Sequence, residues 1–199
     1  MAFETGRSPA VQITPRQRWS IAFSYMLIVI GLLLGVNQRD SLLNQTSVYS
    51  NIAAGISASY PARWLLDESA DNVFRIRDMS HLGFKTTIEV RSLPVGADGA
   101  ERNLLDHLSL QRSQVFIDYS VLGYDTYRMP DDSQAISMAY TFVSRDASPF
   151  LEGVSSIVNG LDILLIRRGQ ALVISLRAES SIYQRELATF RRFIENLEF

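Results

Sequence analysis

LDILLIRRGQALVISLR, residues 161–177, is the stretch whose reading decides the fold. Leu161–Ile166 and Ala171–Arg177 are rich in Leu, Ile and Val and flank the turn Arg167-Arg168-Gly169-Gln170. A short glycine-containing loop between two such runs predicts an antiparallel hairpin. Both runs are apolar almost without interruption, so the sheet they belong to is expected to be covered on both faces. Two helical patterns can supply the cover. Over Glu101–Phe116, the residues Leu104, Leu108 and Val115 share a face that Leu105 widens. Near the C-terminus, Tyr183, Leu187, Phe190, Ile194 and Leu197 follow helical spacing, with Ser181 and Gln184 placed as a capping box. Arg185, Glu186, Arg191, Arg192 and Glu195 fall on the other faces of that helix, expected to be solvated.

Working outward, several segments alternate with period two, as half-buried strands do. Ile56, Ala58 and Tyr60 share a face within Gly55–Tyr60, and Phe74 and Ile76 oppose Arg75 and Arg77. Ile88 and Val90 oppose Glu89 and Arg91, and Ile136, Met138, Tyr140 and Phe142 line one face of Ala135–Val143. Tyr119–Tyr127 reads as a strand interrupted at Gly123. Hairpins dominate this order and no regular βαβ alternation appears. The expectation is an α+β fold, an α-β-α sandwich around a mainly antiparallel sheet, over residues 52–199.

The N-terminal quarter reads differently. Trp19–Val36 (WSIAFSYMLIVIGLLLGV) is eighteen residues without a charge. As a helix it spans roughly 27 Å, close to the hydrocarbon thickness of a bilayer. Met26 and Leu33 lie in its apolar core, and Trp19 and Tyr25 suit the headgroup level. Arg7, Arg16 and Arg18 precede it against Glu4 alone, while Arg39 and Asp40 follow it. The positive-inside rule therefore places a short tail, 1–18, in the cytoplasm and the rest of the chain outside it. The alternative is a cleaved signal peptide, but the apolar core is long and no clear small-x-small site follows. Residues 37–51 (NQRDSLLNQTSVYSN) are polar and mixed and read as a tether reaching at most about 50 Å. The expected setting is a plasma or thylakoid-type membrane, crossed once.

Composition narrows the function. The chain has 199 residues, 47% of them hydrophobic and 20% charged, which excludes a disordered chain. A net charge of −2 argues against nucleic acid as a partner. Cysteine is absent, which removes disulfides, thiol nucleophiles, iron–sulfur clusters and cysteine–zinc sites. Lys85 is the single lysine, so arginine carries almost all of the positive charge.

The domain's two ends carry a family resemblance. Gly55-Ile56-Ser57-Ala58-Ser59-Tyr60-Pro61-Ala62-Arg63-Trp64 resembles the first strand and turn of PsbP-like domains, where an aromatic-Pro-x-x-Trp pattern is typical. Gly169-Gln170-Ala171-Leu172-Val173-Ile174-Ser175-Leu176, followed by a helix with Tyr183, Phe190 and Phe193 and a chain closing near Phe199, is similar to the family's end. The resemblance covers about residues 52–199. It implies an α-β-α sandwich with a role in binding or assembly rather than catalysis, and a photosynthetic or electron-transfer complex as a partner class. No functional residue of the family transfers. The motif also has a plain physical reading, a corner in which Tyr60 ends a strand, Pro61 blocks the ladder and Trp64 folds onto the core.

A search for chemistry yields no catalytic, cofactor-binding or metal-ligating set. His81 lies in an expected loop and His107 follows Asp106 on a helix, where neighbours diverge by about 100°. No Gly-x-Ser-x-Gly elbow, Walker loop or dinucleotide glycine motif is present. Asp131-Asp132 and the group Asp67, Glu68 and Asp71 read as solvated acidic turns. The residues expected to make contacts are Arg167 and Arg168 at a hairpin tip, the tyrosines Tyr124 and Tyr127, and Phe150 and Leu151. The reading is a non-enzymatic accessory or assembly subunit docking on a membrane protein complex. The alternative is an anchored module for a lipid, peptide or metal, which a deep pocket lined by Trp64 and tyrosines would favour.

Overall fold

A computed structural model describes residues 15–43, 45–51, 55–67, 73–81, 83–95, 100–145, 155–167 and 169–199. The chain divides into two units between Gln45 and Thr46.

The first unit contains helix α1, Pro15–Leu43. Its segment Arg18–Arg39 is long and apolar enough to cross a membrane, with a mean hydropathy of 2.2. Trp19, Tyr25, Met26 and Leu33 are all exposed on it. The tether expected over 37–51 is corrected here. α1 runs on to Leu43, and Thr46–Asn51 form strand β1. The polar composition misled because β1 has a single strand neighbour and buries only Tyr49, whose hydroxyl donates to the Val73 carbonyl at 3.0 Å.

The second unit is α+β with two antiparallel sheets. The small one has the order β1-β2-β10, with β2 at Ile56–Pro61 and β10 at Leu197–Glu198. The large one contains β3 (Leu65–Asp67), β4 (Phe74–Arg77), β5 (Thr87–Pro94), β6 (Ile117–Arg128), β7 (Gln134–Ser144), β8 (Ser156–Arg167) and β9 (Gln170–Glu179). Its order is β3-β4-β5-β9-β8-β7-β6. The decisive hairpin forms as read: Arg167 pairs with Gln170 across the turn, and Gly169 takes φ 77°, a left-handed conformation that glycine adopts without steric cost.

Helix α3, Tyr183–Glu195, packs on one face of the large sheet together with the small sheet. Phe74, Ile76, Ile88, Val90, Ile163, Ile174, Leu176, Phe190 and Ile194 form that core, and Trp64 is buried in it. Helix α2, Glu101–Val115, covers part of the opposite face. Leu105 and Leu108 pack there on Met138, Tyr140, Leu164 and Val173. Gly160 permits that layer: a Cβ on it would stand 2.2 Å from Tyr140 Cζ, so the ring lies where a side chain would be. Strand β6 carries register shifts between Ile117 and Ser120 and between Val121 and Gly123, the second at the expected interruption.

Four expectations change. Val115 does not join the core of α2 but is 76% exposed, because the last turn of the helix passes beyond the apolar part of the sheet. The capping box at α3 does not form. Ile182 occupies the cap position with helical φ and ψ, so the chain arrives already curled, and Ser181 donates instead to Glu179. Leu197 belongs to β10, paired with Ala58, rather than to the helix. Glu186 is buried, with the Arg185 Nε donating to it at 2.9 Å.

Candidate functional site

The α2 side of the large sheet is the feature that composition did not announce. Antiparallel register sets Asp67 opposite Arg75, Arg75 opposite Glu89, Glu89 opposite Ser175 and Ser175 opposite Asp162. Directly paired residues share a face, so one polar row crosses five strands, alternating in charge over β3, β4 and β5 and reaching Asp162 through Ser175. Arg77 and Arg177 flank Thr87 in the adjacent row, and Arg91 lies one step along β5 on the same face. Glu89 is only 1% exposed. Arg177 and Arg91 both pair closely with its carboxylate, and Arg75 Nη2 stands 3.7 Å away. Arg75 and Arg77 also reach Asp67, at 3.8 and 3.2 Å.

Asp162 is fully buried and takes Arg112 of α2 in a two-pronged pair, the longer prong at 3.2 Å. The same guanidinium lies 4.6 Å from the centre of the Tyr140 ring, and the Tyr140 hydroxyl donates to Asp162 at 3.4 Å. Arg112 thus ties α2 to the sheet at the border between apolar and charged halves. Burial would push the Glu89 carboxyl up, yet Arg177, Arg91 and Arg75 outweigh it and hold it below its ordinary value. Burial, reinforced by Asp162, pushes the Tyr140 phenol far up, so it stays a neutral donor.

Five guanidiniums meet three carboxylates in this network, an excess of two positive charges on a domain with fifteen basic and nineteen acidic residues. The Nε atoms of Arg75, Arg77 and Arg177 are buried without a partner among the described residues. Beside the network lies a groove of about 470 Å³, lined by Arg91, Arg112 and Arg177 together with Leu108, Gln111, Gln114, Val115 and Phe116.

The residues singled out from sequence are spread over several places. Arg167 pairs with Asp131 and lies 4.6 Å over the Phe199 ring, at a cleft of about 250 Å³ that Met129, Pro130 and Leu197 also line. The Tyr124 hydroxyl donates to Asp106 at 2.6 Å while Arg102 stacks 3.4 Å from its ring centre, which clasps α2 to β6. Tyr127 packs into the core on the α3 side, so the two tyrosines occupy opposite faces of the sheet and form no common patch. Arg168, Phe150 and Leu151 lie outside the described residues.

The histidines and acidic turns have local partners. Arg185 Nη2 donates to His81 Nε2 at 3.0 Å, and the same nitrogen is 3.9 Å from Asp78. A guanidinium thus occupies the atom that a general base would use. His107 contacts Gln111 at 3.1 Å. Asp131 bonds Ser133 at 2.6 Å, and Asp132 takes Arg128 at 2.9 Å. Among the described residues no group of three or more His, Asp or Glu is placed to hold a metal ion.

The charged face was partly visible in sequence, since Arg75, Arg77, Glu89 and Arg91 each sit on the polar side of an alternating strand. What was missing is the strand order, which brings β4, β5 and β9 side by side.

No family model matches the chain, and no curated protein matches it. Among solved structures, cyanobacterial PsbP (CyanoP) from Synechocystis sp. PCC 6803 superposes with a TM-score of 0.55 at 14% identity, covering 77% of this chain and 91% of its own. The globular unit has the PsbP fold. LpqN, involved in cell envelope biogenesis of Mycobacterium tuberculosis, superposes more loosely, at a TM-score of 0.49 and 14% identity over 77% of this chain and 90% of its own. So does the Saccharomyces cerevisiae Ran-binding protein Mog1p, at 0.47 and 10% identity over 77% and 95%. At these identities the likeness to PsbP concerns architecture, and the arginine–carboxylate face is described from this chain alone.

Proposed function

We propose that this chain is a single-pass membrane protein whose PsbP-fold domain lies outside the cytoplasm and acts as a non-catalytic accessory or assembly subunit, docked on a membrane protein complex. The observation that carries this reading is an exposed 22-residue apolar helical segment in the same chain as a domain of PsbP fold, with α1 and β1 separated only by Asn44 and Gln45. In this reading the domain is tethered to the membrane that α1 crosses, among neighbouring membrane proteins. A photosynthetic or electron-transfer complex as the partner is part of this proposal and rests on the family likeness alone. Trp64, which would have lined a ligand pocket in the alternative reading, is 4% exposed and part of the core.

The test is purification of tagged full-length protein from its native membrane in several mild detergents, with mass spectrometry of what accompanies it. Recovery of one membrane complex in fixed stoichiometry supports the reading. Recovery of the protein alone in every detergent overturns it. Orientation is tested separately, because the chain has no cysteine. In intact cells, a membrane-impermeant maleimide is expected to label Ser133→Cys and spare Ser8→Cys; the reverse pattern overturns the topology.

A further inference from the structure

We propose that the groove at the C-terminal end of α2 is the docking site, and that it takes an acidic segment of a partner protein. The proposal rests on the accessory-subunit reading and names the surface and the partner chemistry. Charge complementarity is the first argument. The network behind the groove carries two more guanidiniums than carboxylates, on a domain whose overall charge is negative. Arg91 gives its Nε to Glu89, and its terminal nitrogens make no hydrogen bond among the described residues. A carboxylate side chain fits such a fork, since guanidinium donors match carboxylate geometry.

Shape and apolar surface are the second argument. Leu108, Gln111, Arg112 and Val115 follow one another on a single face of α2, and all four line the groove. Val115 stands exposed there although it belongs to the apolar stripe of the helix. A contact surface of this kind pairs an apolar anchor with arginines, the composition enriched at protein interfaces. The arginines lie recessed, Arg177 with 17% and Arg112 with 13% of the side chain exposed. A flat bilayer surface does not enter a recess between a helix and a strand, whereas a peptide segment does. Gln111 and Gln114 add amide groups that can bond a peptide backbone.

The experiment is photo-crosslinking of the full-length protein in its native membrane. A benzophenone amino acid replaces Val115, and as a control Asp132 in the β6–β7 turn; crosslinked peptides are then sequenced. The expected result is a crosslink from position 115 to one acidic protein segment. The pair Gln111→Glu and Gln114→Glu, both exposed and outside the charged network, should reduce its yield about tenfold. Reversing charge in the partner segment should restore it. Crosslinks from 115 to lipid, to a second copy of this chain or to an uncharged segment overturn the inference, as does a yield that the glutamates leave unchanged. Crosslinks to a partner from position 132 alone overturn the groove and leave the accessory-subunit reading standing. Absence of protein crosslinks at both positions, together with solitary purification, removes both.

Discussion

On the α3 face of the large sheet, Phe74, Ile76, Ile88, Val90, Ile174 and Ile163 form one apolar surface running from β4 to β8, closed by Phe190 and Ile194. On the opposite face the same strands carry two different surfaces. From β8 to β6 it is apolar and packed by α2, while from β3 to β9 it is a lattice of arginine and carboxylate. The difference shows that a strand's polar side need not be a solvated side. Glu89 is as inaccessible as the core, and paired arginines bury it. Burying charge costs more than burying a hydrocarbon of the same volume, so the charged half is not accounted for by stability.

That contrast can be broken or sharpened by substitution. The largest effect is expected for Asp162→Ala, which leaves Arg112 unpaired at the border of the two halves and should lower unfolding free energy by about 4 kcal/mol in urea titrations. The double change Asp162→Leu with Arg112→Met should come within about 1 kcal/mol of the parent, or exceed it. If the single and double variants are equally damaged, the charged pair itself stabilises the fold.

Gly160→Ala should cost about 2–3 kcal/mol, because the new methyl enters the space of the Tyr140 ring. A loss below about 0.5 kcal/mol would mean that the apolar half of the α2 face yields more readily than its packing suggests.

The third effect depends on pH. Burial raises the Glu89 carboxyl and three arginines lower it more, so its folded value lies below its unfolded one. Its contribution is therefore complete above the ordinary carboxylate range and is lost as pH falls through about 4 and lower. The stability gap between the parent and Glu89→Gln should shrink over that window. A gap independent of pH would show that the arginines do not hold Glu89 ionised. The smallest effect is expected for Val115→Ser, under about 0.5 kcal/mol, since this side chain is exposed. A larger loss would place it in the core after all.

Much of this arrangement was legible in the sequence because period-two and helical spacing report burial directly. The 161–177 hairpin, the Phe74/Ile76 and Ile88/Val90 faces and the Tyr183–Ile194 helix all follow from it. Strand order does not follow, because it depends on which edges meet across a long stretch of chain. The arginine–carboxylate face was only partly legible for that reason: Arg75, Arg77, Glu89 and Arg91 sit on polar sides of alternating strands, whereas Asp67 reads as part of a turn and Asp162 and Arg177 lie in runs that read as apolar. β1 was missed because an edge strand with one buried residue has the composition of a linker. The failed capping box shows a local motif overruled by the turn that delivers the chain into α3. Of the residues chosen for contact, Tyr124 and Tyr127 are separated by plain strand alternation: three residues apart in a regularly paired stretch of β6, they fall on opposite faces.

Strand β9 lies between β5 and β8, the inner edges of two blocks that are far apart in sequence. The first block, β3 to β5, and the second, β6 to β8, have no hydrogen-bonded seam until residues 170–179 arrive, and the small sheet waits still longer for Leu197 and Glu198. A chain made from its N-terminus would therefore first form two separate halves with exposed edges. It would close only once residues 170–198 arrive, and the period before that is when its unpaired edges are most open to wrong pairing.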